Sequence, residues 1–478
     1  MGLNFGYSRP SPTKFAPAAD DVRARKRPLL VIVGGGATGV LAAAHLERAG
    51  VAKTADLVIL EQRADLGRGL AYSTSDPSHL LNVRVANMSA FADDDGHLIR
   101  WLRRKAGDED LAVPSGQAFL ARGVYGEYVV DIARGLVERG AVRHIRARCV
   151  GLRESPDAVA LTLDSGETLV ATQALIATGN DAKPALPGID SSRPWTREAL
   201  ADLPHEAGVM IVGSGLTMVD MALSLRRRGH EGKIHVLSRR GLMPNAHRAV
   251  AAHAFAPEQI PVGAPLTALL RWLVGEASKL AREDGDWRSA IDAVRPHTTR
   301  LWRAMSLEQR RRFYRHLRPY WDVHRHRMAP EIEQWFDQLI RDGQVERIAG
   351  RLVSARSTAD GIAVEFRRRG ELTVEALEVA RLIDCTGLTD DIAESSNPLI
   401  RALLETGAAR PGPLGLGLDV DEAFALVDAR GRSSPRLSVI GPLSRGAHWE
   451  CIAIPDIRRH CQDFSAAMVN ALAAAAVA

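Results

Sequence analysis

Five apolar residues, Leu29 to Val33, run without a break into Gly34-Gly35-Gly36-Ala37-Thr38-Gly39, and an alanine-rich stretch of helix formers follows to about Arg48. Strand, glycine turn and helix in that order are what a dinucleotide site requires. Gly34 allows a tight turn, Gly36 lets the backbone approach a pyrophosphate, and Gly39 lets the helix pack on the strand. The helix N-terminus then offers free N–H groups and a partial positive charge to phosphate oxygens. A second apolar run, Asp56 to Leu60, ends at Glu61, about 20 residues on, where a carboxylate binds ribose hydroxyls. The competing reading is a glycine turn of some other α/β protein. The acid closing the next strand weighs against it.

The pattern recurs beyond a linker, Pro184 to Pro194. Val209 to Val212 reads as a strand, Gly213-Ser214-Gly215 as the turn and Leu216 to Arg228 as a helix with Thr217 in its first turn. The third glycine position holds Met218 or Val219, so this fingerprint is incomplete. Its next strand, Lys233 to Leu237, ends in Ser238-Arg239-Arg240 rather than in an acid. Arginines there suit a 2′-phosphate, which favours NADPH over NADH. A solvated strand end is the plainer alternative. One flavin and one nicotinamide suffice to move a hydride, and the first fold, with its ribose acid, suits FAD.

Composition sets looser bounds. A chain of 478 residues, 46% hydrophobic and 25% charged, is long enough for two or three domains. The net charge, 62 − 57 = +5, does not imply nucleic acid and fits anionic dinucleotide ligands. Cys149, Cys385, Cys451 and Cys461 form no C-x-x-C pair. A disulfide framework and a dithiol reductase are thereby disfavoured. Basic residues before Leu29 imitate a signal peptide, but the apolar run is the fingerprint itself. No apolar run reaches the roughly 18 residues of a spanning helix. The expectation is a cytoplasmic protein without membrane, nucleic-acid or metal partners, and with an oligomer left open.

Between the fingerprints, Gly67-Arg68-Gly69 suits a loop along a pyrophosphate, and Ala177-Thr178-Gly179 is a strand end small enough to sit against a cofactor. Residues 255–345 read as a helical insert carrying Trp272, Trp287, Trp302, Trp321 and Trp335, most of them expected in its core. His324-Arg325-His326-Arg327 reads as an anion-binding or interface segment, or else a solvated basic turn. Two arginines argue against a metal there. Thr386-Gly387 echoes Thr178-Gly179, and Leu437 to Pro442 is a strand entering a glycine turn.

Six motifs carry a resemblance: GGGATG (34–39), GRGLAYSTSDPSHLLNV (67–83), ATG (177–179), GSGLTMVD (213–220), HLRPYWDVHRHR (316–327) and GPLSRGAHWE (441–450). The chain resembles bacterial FAD/NAD(P)-binding proteins of the YdhS type, relatives of flavin-containing and N-hydroxylating monooxygenases. The resemblance implies an α/β fold of two Rossmann-like domains with a helical insertion. The expected division is an arm at 1–27, an FAD domain at 28–190 and 346–478, an NAD(P)H domain at 191–254 and the insert at 255–345. FAD is expected against Gly34, Gly36, Ala37, Thr38, Gly39, Glu61, Gln62, Arg68, Gly69, Asn82, Thr178 and Gly179, with Gly441 and Pro442 near its ring. NADPH is expected against Gly213, Gly215, Leu216, Thr217, Arg239 and Arg240. The implied activity is hydroxylation, through a flavin hydroperoxide, of a small polar and possibly nitrogen-containing substrate by molecular oxygen. His247, Trp449 and Glu450 are candidate catalytic residues, though each is also an ordinary residue of a glycine-rich loop. A flavin oxidoreductase without oxygenation, or a dinucleotide-sensing docking protein, are the alternatives.

Overall fold

The computed structural model describes residues 27–107, 115–180, 189, 191–196, 199–283, 285–387 and 391–477. The expected arm, apart from Arg27, and much of the linker lie outside them. The chain opens with β1 (Leu29–Val33), α1 (Ala37–Arg48) and β2 (Asp56–Leu60). Then come β3 (Leu80–Arg84), α2 (His97–Ala106), β4 (Phe119–Ala121), α3 (Arg122–Glu138) and β5 (Arg143–Ile145). A three-stranded antiparallel sheet, β6 (Cys149–Glu154), β7 (Val159–Leu163) and β8 (Thr168–Ala171), precedes β9 (Gln173–Ile176). The second fingerprint is β10 (Val209–Val212), α4 (Leu216–Arg227) and β11 (Ile234–Ser238).

Helices α5 (Leu266–Glu283), α6 (Arg288–Val294), α7 (Thr298–Ala304), α8 (Leu307–Arg312), α9 (Arg318–Arg325) and α10 (Pro330–Arg341) make the insert, with a π-helical turn at Phe313–Leu317. Strands β12 (Val345–Ser357), β13 (Ile362–Arg368), β14 (Glu375–Val379) and β15 (Arg381–Asp384) follow. The chain closes with α11 (Pro398–Glu405), β16 (Ala425–Val427), β17 (Ser433–Val439) and α12 (Ile454–Val477).

Two six-stranded sheets organise these elements, one ordered β16-β17-β9-β1-β2-β5 and the other β14-β13-β12-β11-β10-β15. β1 lies parallel between β2 and β9, with Val31 opposite Val58 and Ala174. All five of its residues are buried, as expected for a parallel strand covered on both faces. Alternation sends Leu30 and Ile32 toward α1, α3 and α12, and Leu29, Val31 and Val33 toward the β6–β8 sheet and α11. In the second sheet β10 is centred the same way, between β11 and β15.

Two expectations need correction. The residues from 346 do not return to the first sheet at once. β12 pairs parallel with β11, Ile234 opposite Val345, and β15 pairs with β10. Residues 345–384 therefore complete the second sheet, and the first regains the chain only at β16. β10 and β11 alone would leave two parallel edges unpaired. Finally, only Trp302 of the five insert tryptophans is fully buried, the others being half-exposed. Among the described residues no helix is long and apolar enough to cross a membrane.

Candidate functional site

At the end of β1, the Gly34 N–H donates to Leu60 O at 2.9 Å and φ reaches +106°. A Cβ there would lie 2.6 Å from Ala177 O, so the turn is pressed onto the ATG strand end. α1 starts at Gly36 with no side-chain cap, which leaves N–H donors for an anion. Gly69 approaches the same place, its Cα 3.5 Å from a Cβ built on Gly36. Glu61 closes β2 and accepts from Gly35 N–H and Arg63 N–H, both at 3.0 Å. Its remaining lone pairs can take hydroxyls. Gln62 is exposed beside it. Gly441, at φ +77°, meets Thr38 of α1: a Cβ would lie 2.9 Å from Thr38 Cγ2. Gly34, Gly36, Ala37, Thr38, Gly39, Glu61, Gly69, Thr178, Gly441 and its neighbour Pro442 are thus brought together around one glycine cradle. Arg68 points away toward α3, where its guanidinium donates to Gly123 O at 3.4 Å.

The second turn repeats the first. Gly213 N–H donates to Leu237 O at 2.8 Å, its φ is +103°, and a Cβ would collide with Cys385 O. α4 starts at Gly215, again without a side-chain cap, followed by Leu216 and Thr217. Both cradles therefore suit a phosphate group: a glycine backbone against a strand end and uncapped helix donors.

Past β11, Arg239 and Arg240 open into a pocket of about 450 Å³ that also collects Arg315, His316, Arg351, Arg367 and Arg369. Arg351 and Arg367 are direct cross-strand partners. Like charges so placed repel, and an anion between them removes the repulsion. Arg239 and Arg240 are visible in the sequence as the end of an apolar run, and the other arginines are not. The hairpin arginines come from a strand pair whose partner, β11, lies more than a hundred residues upstream, as β12 pairing shows.

The candidate catalytic residues are already engaged. His247 Nε2 donates to Asn82 O at 3.0 Å, and the ring packs on Phe119 at 5.0 Å. Burial first, then Arg327, pushes its pKa down to about 3. Asn82 contributes that carbonyl to a junction with the second fingerprint's loop. Glu450, at φ +69°, accepts from Trp321 Nε1 at 2.8 Å and pairs with Arg325 at 3.1 Å. Burial would raise its pKa, but Arg325 and His326 hold it below the usual range. Trp449 stacks on Trp302, with centroids 4.7 Å apart. None of these three is an acid or base poised near neutrality. The HRHR segment is not a solvated turn: Arg325 and Arg327 are 5% and 2% exposed and pair with Glu450 and Asp292. It is an interface within the chain.

The GRGLAYSTSDPSHLLNV segment also works in a way the sequence did not reveal. His79 Nε2 and Ser224 Oγ lie 2.7 Å apart, and Ser224 Oγ donates to Asp76 Oδ2 at 2.8 Å. Arg122 pairs with Asp220 at 2.8 Å, and burial drives the Asp220 pKa up to about 7 against that partner. These contacts clamp α4 onto the first unit. All four cysteines are free and buried, with the Cys149 and Cys451 thiols pushed up to about 12 by burial. Among the described residues no group of three or more His, Cys, Asp or Glu is placed to hold a metal.

Residues 31–181 match the model of a family described as FAD-NAD(P)-binding. No curated protein matches the chain. Among solved structures, ornithine hydroxylase from Pseudomonas aeruginosa superposes with a TM-score of 0.64 at 15% identity, over 93% of this chain and 99% of that one. A cadaverine monooxygenase of desferrioxamine biosynthesis from Erwinia amylovora, bound to FAD, gives 0.63 at 13%, over 94% and 95%. Thioredoxin reductase from Lactococcus lactis gives 0.52 at 11%, over 94% and 99%. At these identities the likeness is one of fold: the chain has the two-dinucleotide-fold architecture shared by flavin monooxygenases and reductases, and the segment around its first fingerprint is similar to an FAD-NAD(P)-binding family.

Proposed function

We propose that the protein is an FAD-dependent, NADPH-using monooxygenase that inserts oxygen into a small organic substrate. The observation that carries this reading is the repeated glycine cradle, Gly34 on Ala177 O and Gly213 on Cys385 O, with an acid after one strand and an arginine pocket after the other. The first cradle would hold the FAD pyrophosphate at Gly36, Ala37 and Gly69, with Glu61 on the ribose. Gly441 and Pro442 would lie near the ring. The second would hold NADPH at Gly213, Gly215, Leu216 and Thr217, with Arg239, Arg240 and the hairpin arginines around the 2′-phosphate.

When bound, the flavin supplies the redox chemistry and the nicotinamide the hydride. The chain's part is to hold the two in register and keep water out. Residues that set this register are the α4 clamp (Asp76, His79, Arg122, Asp220, Ser224) and the His247–Asn82 bond. In this reading His247, Trp449 and Glu450 position loops rather than move protons. Buried cysteines with raised pKa values favour oxygenation over a dithiol reductase.

The test is stoichiometric. Candidate substrates are supplied aerobically with NADPH, and hydrogen peroxide and hydroxylated product are both quantified. A substrate that suppresses peroxide and yields product in proportion to NADPH consumed is the expected result. Peroxide equal to NADPH consumed for every substrate indicates an oxidoreductase without oxygenation.

A further inference from the structure

The helical insert forms an open-mouthed cavity of about 480 Å³, walled by α5, α6, α7 and α9 and by the π-helical turn. No Asp, Glu, Lys or Arg side chain lines it. Its walls carry Trp272, Trp287, Trp321 and Phe313, and its floor is Trp449 stacked on buried Trp302. Trp272 and Trp321 also pack against the buried core of the insert. The volume falls in the range of small-molecule pockets, roughly 300–1,000 Å³, and apolar walls with few polar points are typical of them.

Three features set this cavity apart from a bare helix face. The walls come from separate helices, and the floor comes from a distant loop, so the space is concave. The π-helical turn Phe313–Leu317 interrupts regular helix at the wall, a distortion frequent at functional sites. Glu450, beside the floor residue, holds a positive φ that a non-glycine residue rarely adopts. Its polar side chains are few, Ser278, Thr298, Tyr320 and His324: Thr298 Oγ1 donates to Arg295 O at 2.8 Å, and His324 Nδ1 donates to Tyr320 O at 2.7 Å, which leaves Nε2 as an acceptor.

The floor also connects to the first cradle. Cys451 Sγ donates to Gly441 O at 3.2 Å, and Gly441 lies against Thr38. Trp302 Nε1 donates to Gly446 O at 2.8 Å, and Thr299 Oγ1 donates to Trp449 O at 3.1 Å. We infer that the insert is a substrate chamber for an uncharged apolar molecule, aromatic or branched, carrying at most a hydrogen-bond donor toward His324. This rests on the monooxygenase reading for the word substrate, and it replaces the small polar substrate expected from sequence. A cationic amine finds no carboxylate on these walls, and burying an unpaired ammonium is costly.

The test uses the flavin-loaded full chain and the neutral fluorophore N-phenyl-1-naphthylamine. Saturable one-to-one binding is expected. It should weaken at least about tenfold in Leu270→Glu/Val274→Glu, two rim positions that are 40% and 55% exposed. Ala277→Phe, which fills the space without adding charge, should weaken it as well. Bound probe should also alter the rate of NADPH oxidation in the parent protein and not in the rim variant. Equal affinity in all variants, or probe signal that falls as protein concentration rises because a second copy covers the cavity, overturns the chamber. Cavity binding with no effect on NADPH oxidation overturns its role as substrate site. Flavin bleaching by NADPH, read on the same samples, reports separately on the monooxygenase reading.

Discussion

Gly34 and Arg239 carry opposite kinds of information. Gly34 is constrained from all sides: positive φ, an N–H committed to Leu60 O, and a carbonyl where a side chain would go. Gly34→Ala should cost roughly 1–3 kcal/mol from backbone strain alone, and the contact with Ala177 adds to it. Purified variant should show a lower Tm and little retained flavin. A variant that melts like the parent and stays yellow contradicts the cradle. Arg239 is exposed and its geometry is permissive, so its effect belongs to ligand choice rather than to stability. Arg239→Ala should raise the NADPH KM by about tenfold and leave the NADH KM within about twofold. Equal loss for both nucleotides contradicts the 2′-phosphate assignment. Hairpin arginines sharing the pocket predict a further loss in Arg239→Ala/Arg367→Ala.

Elements legible in sequence are those whose cause is local. Apolar runs entering glycine turns gave β1 and β10 with their helices, and the short apolar runs that follow gave β2 and β11, because periodicity and turn chemistry lie within a short window. Sheet membership was not local. β12 to β15 look alike whether they extend one sheet or the other, and only the pairing of Val345 with Ile234 decides. The same limit hid the hairpin arginines and the α4 clamp. His247, Trp449 and Glu450 were visible as polar or aromatic residues in glycine-rich loops, but burial and partners determine what they do. Glu450 shows this at the junction between α9 and the loop after Gly441. Its carboxylate is 5% exposed and pairs with Arg325, itself almost fully buried. Glu450→Gln leaves that guanidinium unpaired in the interior, and breaking such a pair costs about 3–5 kcal/mol. A thermal melt should show the drop, and Glu450→Gln/Arg325→Met should recover part of it. An unchanged Tm in the single variant contradicts the anchoring role.

Across the whole molecule, burial sets how stability responds to pH. It pushes His247 and His448 down to about 3 and His460 down to about 4. The unfolded chain then binds more protons than the native one below about 6.5. Their contribution is complete above that pH and is lost as pH falls toward 4. Asp220, raised by burial to about 7, acts in the other sense with Asp322 and Asp463, while carboxylates held low, such as Asp76 and Glu346, add to the histidines. Tm should therefore decrease from pH 7 to pH 5, and His448→Gln should flatten the decrease. A Tm that is constant or rises on acidification contradicts the burial of these rings. At the same scale, two cradles, an α4 clamp between them and an insert joined to the Gly441 loop form one assembly, which in the proposed function brings a nicotinamide to a flavin. The most direct measurement is anaerobic. Flavin-loaded protein is mixed rapidly with NADPH, and separately with NADH, and the flavin absorbance is followed. Bleaching by NADPH, with NADH much slower, is predicted. Flavin absorbance unchanged by both nucleotides, or bleached equally by both, contradicts the account.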